Sequence, residues 1–138
     1  MRAGRRKQET RVDIDIPEIV AEVEAAFATY EQALVTNDVP TLERLFHDAA
    51  TTIRYGIGEN LYGMDEIRAF RRGRSPLNLT RTLEKTVITT YGRDFATAST
   101  LFRRGPGAAG RQMQTWVRFC DGWKVVAAHV SVIPDSLG

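Results

Sequence analysis

Residues 111–133 read RQMQTWVRFCDGWKVVAAHVSVI. Two runs rich in β-branched and aromatic residues flank Asp121-Gly122, a dipeptide that favours a two-residue hairpin turn. The stretch is therefore expected to form two long paired strands, residues 111–119 and 123–133. On a strict two-residue alternation, Trp123, Val125, Ala127, His129 and Ser131 share one face of the last strand. Lys124, Val126, Ala128, Val130 and Val132 share the other. Both faces are largely apolar, whereas a sheet with one wet face alternates apolar with polar. Cover is thus expected on both sides, from helices on one and from a second copy of the chain, in a two-fold homodimer, on the outer one.

Further strands lie upstream. Residues 80–91 are rich in Thr, Val and Ile, Gly92-Arg93-Asp94 reads as a turn, and residues 95–103 as a strand. The Gly-rich residues 105–110 form a flexible hairpin loop. Residues 51–55 read as a short strand, with Gly56, Gly58 and Gly63 marking a tight loop beside it. Residues 64–72 return to helix, with Ile67 and Phe70 facing inward. Residues 15–37 carry Ile19, Val23, Phe27, Tyr30 and Leu34 at steps of four, four, three and four, one face of a helix. Asp15 and Glu18 have capping-box spacing, and Pro17 suits the first turn. Pro40 opens a shorter helix through Leu42, Leu45 and Phe46. Helices followed by a meander predict an α+β fold, with N-terminal helices packed on a curved antiparallel sheet.

The chain of 138 residues fits one domain, expected over residues 15–134, between a disordered basic tail, 1–14, and a short tail, 135–138. The formal charge of +2 is uneven: Arg2, Arg5, Arg6, Lys7 and Arg11 face only Glu9 at the N-terminus. A solvated terminus is the expectation there, with no nucleic-acid partner. The single cysteine, Cys120, excludes an internal disulfide and a Cys-rich metal site. No apolar run is long enough for a membrane span or a secretory signal, so a cytoplasmic location is expected. Two histidines without HExxH spacing, and the absence of a phosphate loop or GxGxxG, predict neither a metal nor a cofactor.

Several side chains are candidates for a site. If the face holding Trp123 is concave, His129 and Ser131 point into a pocket with Tyr30, and polar groups converging in an apolar cavity define the default site. Arg54 lies on a short strand between Ile53 and Tyr55, so it is either a fork for a substrate carboxylate, an internal ion pair with Glu59 or Asp65, or exposed. Tyr30 is either core or, beside an arginine, a general acid or base with a lowered pKa. Tyr55 and Tyr62 are alternatives in the rim. Arg68 and Arg72, one turn apart, would guard the mouth for anions, while Arg71 and Arg74 read as a solvated helix face. Gln114 and Trp116 share a strand face and would line the cavity.

Five blocks of this sequence, residues 54–63, 66–71, 89–98, 110–117 and 123–131, resemble the signature of the AtzH-like family, which includes the oxalurate-catabolism protein HpxZ. The resemblance runs from about Ile16 to Ile133. It implies a SnoaL-like, nuclear-transport-factor-like (cystatin-like) cone-shaped α+β barrel, dimeric through its sheet. It also implies a link to amidase-family hydrolases in nitrogen-compound catabolism. The implied activity is metal-free hydrolysis of a carboxylated urea, 1,3-dicarboxyurea, toward allophanate. Tyr30, in Ala28-Thr29-Tyr30-Glu31, and Arg54, in Arg54-Tyr55-Gly56, match the family's catalytic candidates. Two alternatives stand beside this reading. One is a non-catalytic amidase partner or carboxylate-binding module. The other is an isomerase or dehydratase, which would need a buried Asp that the pattern does not place beside His129.

Overall fold

The computed structural model describes residues 11–134. Of the predicted basic tail, residues 1–14, residues 1–10 lie outside the described residues, as do residues 135–138; residues 13 and 14 bond to the β-sheet edge at Gly92 and Tyr91. Among the described residues no helix is long and apolar enough to cross a membrane.

Helix α1, Pro17–Val35, buries the predicted face: Ile19, Val23, Phe27, Tyr30 and Leu34. The expected capping box does not form. Ile16 occupies the cap position without a side-chain bond. Asp15 instead takes a left-handed φ of 59°, which Asp tolerates better than most residues. Its carboxylate accepts from the Thr90 amide (2.9 Å), and its own amide donates to the Thr90 carbonyl (3.0 Å). Together with an Ile14–Tyr91 bridge, these bonds cover one end of an edge strand that would otherwise expose its ladder. Helix α2, Val39–Arg44, is capped by Asp38, whose side chain accepts from the amide and hydroxyl of Thr41.

Six strands follow around a third helix: β1 (Ile53–Tyr55), β2 (Asn60–Tyr62), α3 (Met64–Gly73), β3 (Thr82–Tyr91), β4 (Phe95–Arg103), β5 (Ala109–Phe119) and β6 (Gly122–Ile133). They form one curved, unclosed sheet in the order β2-β1-β6-β5-β4-β3. All neighbours are antiparallel except β1 and β6, which run parallel. The predicted loop after β1 contains β2; three residues are too few for a periodicity to show. The helices cover the concave face around Trp116, which is fully buried and meets Tyr30 edge-on at 6.5 Å.

One irregularity decides where the last strand points. Thr115 pairs with Ala127, but Trp116 pairs with Val125, so Val126 is an extra residue in β6. A bulge of this kind reverses the alternation beyond it. Trp123 and Val125 therefore face the core, as predicted, and past the bulge Ala128 and Val130 take over that role. Ala127 and His129 lie on the convex face, in a shallow depression with Ile53, Tyr55, Thr97, Met113 and Thr115. Ser131, two residues on from His129, falls on that face as well.

Candidate functional site

A cavity of about 350 Å³ opens between α1, β1, the end of α3 and the loop after it, and the inner face of β5 and β6. Tyr30 lies at its base, 3% exposed. Leu34, Phe70, Leu79 and Val130 supply apolar wall, and Ser75, Leu77 and Asn78 border the opening.

Arginines dominate the lining. The β1 register with Leu61 and Ala128, both buried, turns Arg54 inward. Its Nη1 donates to Glu59 Oε2 (2.7 Å), with the guanidinium 5.3 Å from the centre of the Phe70 ring. This bridge lies across Gly56, where a Cβ would overlap the Glu59 carboxylate, so the Arg-Tyr-Gly order has a steric reason. Arg81 grips Glu31 with two hydrogen bonds, Nε to Oε2 (2.8 Å) and Nη2 to Oε1 (2.6 Å). Its Nη2 also donates to Gln112 Oε1 (3.0 Å). Arg81 and Arg104 stack on Phe102 at 4.5 and 5.1 Å, and the absence of a side chain at Gly110 leaves room for that ring. Arg74 adds a fourth guanidinium, its Nε and Nη2 buried without partners. Behind Tyr30, Arg71 is 1% exposed and packs on the Phe46 ring at 4.8 Å.

Five guanidiniums thus gather about one cavity, and among the described residues two carboxylates, Glu31 and Glu59, pair with them directly. The imbalance shows in the titration of the groups. Burial alone would raise the Tyr30 phenol, but the charges of Arg71, Arg54 and Arg81 outweigh it and hold the phenol below its ordinary value. Burial pulls Arg74 down to about 10, reinforced by the Arg71 and Arg54 charges. Burial and the Arg81 charge lower Arg104 as well. All remain cations at neutral pH. The arrangement leaves an excess of positive charge around the cavity.

Of the predicted site residues, Tyr30 and Arg54 meet in this cavity. Gln114 and Trp116 face the same way but lie beneath its floor, with Trp116 Nε1 donating to Gln114 Oε1 (3.0 Å). Gln112, two residues along the same face, is the glutamine that lines the cavity. His129 and Ser131 do not point into it, because the Val126 bulge turns them outward. His129 packs edge-on against Tyr55 (5.9 Å), and Ser131 Oγ accepts from Arg111 Nε (3.2 Å). Tyr55 and Tyr62 are outside it too, their hydroxyls 3.0 Å apart.

The arginine assignments on α3 are reversed. Arg68 sits away from the cavity, bound to Asp65 (3.0 Å) and Asp48 (3.2 Å), and Arg72 is engaged by Glu43. Arg71 and Arg74, expected in solvent, are the inward pair. Arg71 carried a signal: Met64, Ile67 and Arg71 step by three and four, a helix's buried stripe, with Arg74 at the C-cap just beyond it. Arg81, Arg104, Glu31 and Gln112 were not anticipated, since nothing local marks them.

A curved sheet wrapped by helices around a polar pocket defines the cystatin-like, NTF2-like class. An NTF2-like protein of unknown function from Pseudomonas putida shares the fold, with a TM-score of 0.70 at 20% identity over 83% of this chain and 86% of its own. Within that class the chain belongs to the AtzH-like family, whose profile matches residues 12–136. Two solved structures are much more similar. A protein of unknown function of the DUF3225 family from Pectobacterium atrosepticum is 55% identical, with a TM-score of 0.87 over 88% of this chain and 95% of its own. A cystatin-like fold protein from Burkholderia xenovorans is 48% identical, with a TM-score of 0.87 over 91% and 99%. No curated protein matches the chain.

Proposed function

We propose that the cavity binds a small dicarboxylate of the carboxylated-urea type, such as 1,3-dicarboxyurea, and hydrolyses one of its C–N bonds. The observation that carries this reading is the excess of guanidiniums over carboxylates around Tyr30. Arg54 receives one carboxylate beside Tyr30, and Arg74 and Arg104 receive the other nearer the opening. Gln112, whose amide nitrogen is buried without a partner, is placed to donate to a carbonyl oxygen. Tyr30 moves the proton: water adds to the carbon of one terminal carboxyl group, its C–N bond breaks, bicarbonate is released, and the departing nitrogen takes up the proton as part of allophanate. His129 and Ser131 have no part in this scheme.

Incubating the purified protein with 1,3-dicarboxyurea should release allophanate, and calorimetry should show short dicarboxylates binding more tightly than monocarboxylates. Binding without turnover would favour the carboxylate-binding module associated with an amidase. No preference for a dianion would sink both readings. An isomerase or dehydratase is disfavoured because no Asp or His lines the cavity among the described residues.

The convex sheet face is assigned to a second copy of the chain. Met113 is 56% exposed at its centre, amid Ile53, Thr97, Thr115 and Ala127, without a formal charge among them. A self-complementary apolar patch suits a two-fold contact. Equilibrium sedimentation should find a dimer for the wild type and a monomer for Met113→Asp; a monomeric wild type would refute the assignment.

A further inference from the structure

Arg71 presents a problem that the proposed chemistry leaves unsolved. It is 1% exposed, yet none of its three guanidinium nitrogens makes a well-formed hydrogen bond. A buried, uncompensated charge is costly, and an arginine cannot escape by releasing its proton at neutral pH. A counter-charge is therefore required. The carboxylate that acts on it, Glu43, is held by the Arg72 fork, and the two that pair with the cavity arginines, Glu59 and Glu31, are taken by Arg54 and Arg81. The other charged groups around the cavity, Arg54, Arg74, Arg81 and Arg104, are all cationic and worsen the imbalance. The remaining acidic group is the Tyr30 phenol, whose ring packs against the same Phe46 ring (6.3 Å between centres) that the Arg71 guanidinium covers at 4.8 Å; its effect on Arg71 exceeds that of Glu43.

We infer that Arg71 is a positioning residue that holds the Tyr30 hydroxyl as a phenolate in the resting protein. A group resting in that form is a base. It takes a proton from the attacking water, hydroxide adds to the acyl carbon, and the phenol returns the proton to the departing nitrogen as the C–N bond breaks. Substrate then enters a site whose internal negative charge lies at the base of the cavity, away from the Arg74 and Arg104 end. This inference deepens the hydrolytic reading through the same Tyr30, but its test reads the tyrosine and not the reaction.

The four tyrosines can be titrated through the phenolate absorption band. The wild type should show one tyrosine ionising well ahead of the other three, and Tyr30→Phe should remove that early step. Tyr62 cannot supply it, since its hydrogen bond to Tyr55 pushes it upward. Arg71→Met should move the early step back to the ordinary range or above it, and Arg71→Lys should restore part of the shift. The wild type and Tyr30→Phe alone decide the protonation state, whatever the fate of the Arg71 variants. Four tyrosines titrating together near the ordinary value would overturn the inference. So would an early step that survives Arg71→Met, which would credit Arg54 and Arg81 instead. An early phenolate in a protein that hydrolyses no carboxylated urea would leave this inference standing and remove only the proposed reaction.

Discussion

Replacing Tyr30 by phenylalanine is expected to lower turnover of a carboxylated urea about a hundred- to ten-thousandfold, the range for loss of a general acid–base group. Binding should be nearly unchanged, because the guanidiniums that hold the carboxylates remain. Arg54→Ala should divide the effect differently. It removes a charge-assisted contact of about 1.5–3 kcal/mol, so binding should weaken about ten- to a hundredfold at tenfold per 1.4 kcal/mol. The pH profile separates the two variants. The Tyr30 phenol is held below its ordinary value by Arg71, Arg54 and Arg81 against the opposing effect of burial. Turnover carried by its basic form should rise with pH through that lowered value and level off above it. Arg54→Ala removes one of the three charges, so its rising limb should move to higher pH. Tyr30→Phe should have no such limb. Steady-state kinetics across pH checks all three expectations. A Tyr30→Phe enzyme as fast as the wild type would end the mechanism.

Much of this architecture was readable from residue patterns, and the failures have identifiable causes. Helix α1 was legible because five apolar residues repeat at helical spacing over four turns. The β5–β6 hairpin was legible from Asp121-Gly122 between two long runs. The pairing of Tyr30 with Arg54 was also within reach, since one lies on the buried stripe and the other on a short glycine-flanked strand. The orientation of His129 and Ser131 was not. It depends on a single extra residue at Val126, and any of the neighbouring valines and alanines could have been the one expelled from the register. Alternation predicts a face only as far as the next bulge.

The arginines failed for a different reason. Arg71 occupies a position that the helical repeat marks as core, whereas its residue type argues for solvent. The two were reconcilable only through a property of the assembled cavity, a phenol at its base. Arg81 and Arg104 flank the open end of the β3–β4 hairpin, where Thr82 pairs with Arg103, and both stack on Phe102. The hairpin was legible, but its meeting with Tyr30 and Glu31 of α1 was not. Sites built from distant segments are legible in sequence only where one residue is anomalous for its place, as Arg54 and Arg71 both are.

That anomaly has a consequence for stability. Arg71→Met should make the protein more stable, by up to about 1–4 kcal/mol, the gain seen when a whole buried ion pair is replaced by apolar groups of similar volume. Removing one partner of a buried ion pair ordinarily destabilises, because the other charge is stranded. Here the partner is a phenol, which takes up a proton and becomes neutral. The methionine thioether stays on the Phe46 ring that the guanidinium now covers, and no hydrogen bond is lost, since Arg71 makes none of good geometry. The loss of one positive charge also relieves Arg74, which the Arg71 charge helps to hold down at about 10. The urea midpoint should therefore rise with an unchanged dependence on denaturant, while turnover falls because Tyr30 is no longer a resting base. Stability and activity moving in opposite directions is what a charge retained for chemistry predicts. An unfolding free energy that falls by several kcal/mol would show instead that the Arg71 guanidinium is a structural tie, and that Tyr30 draws its character from Arg54 and Arg81.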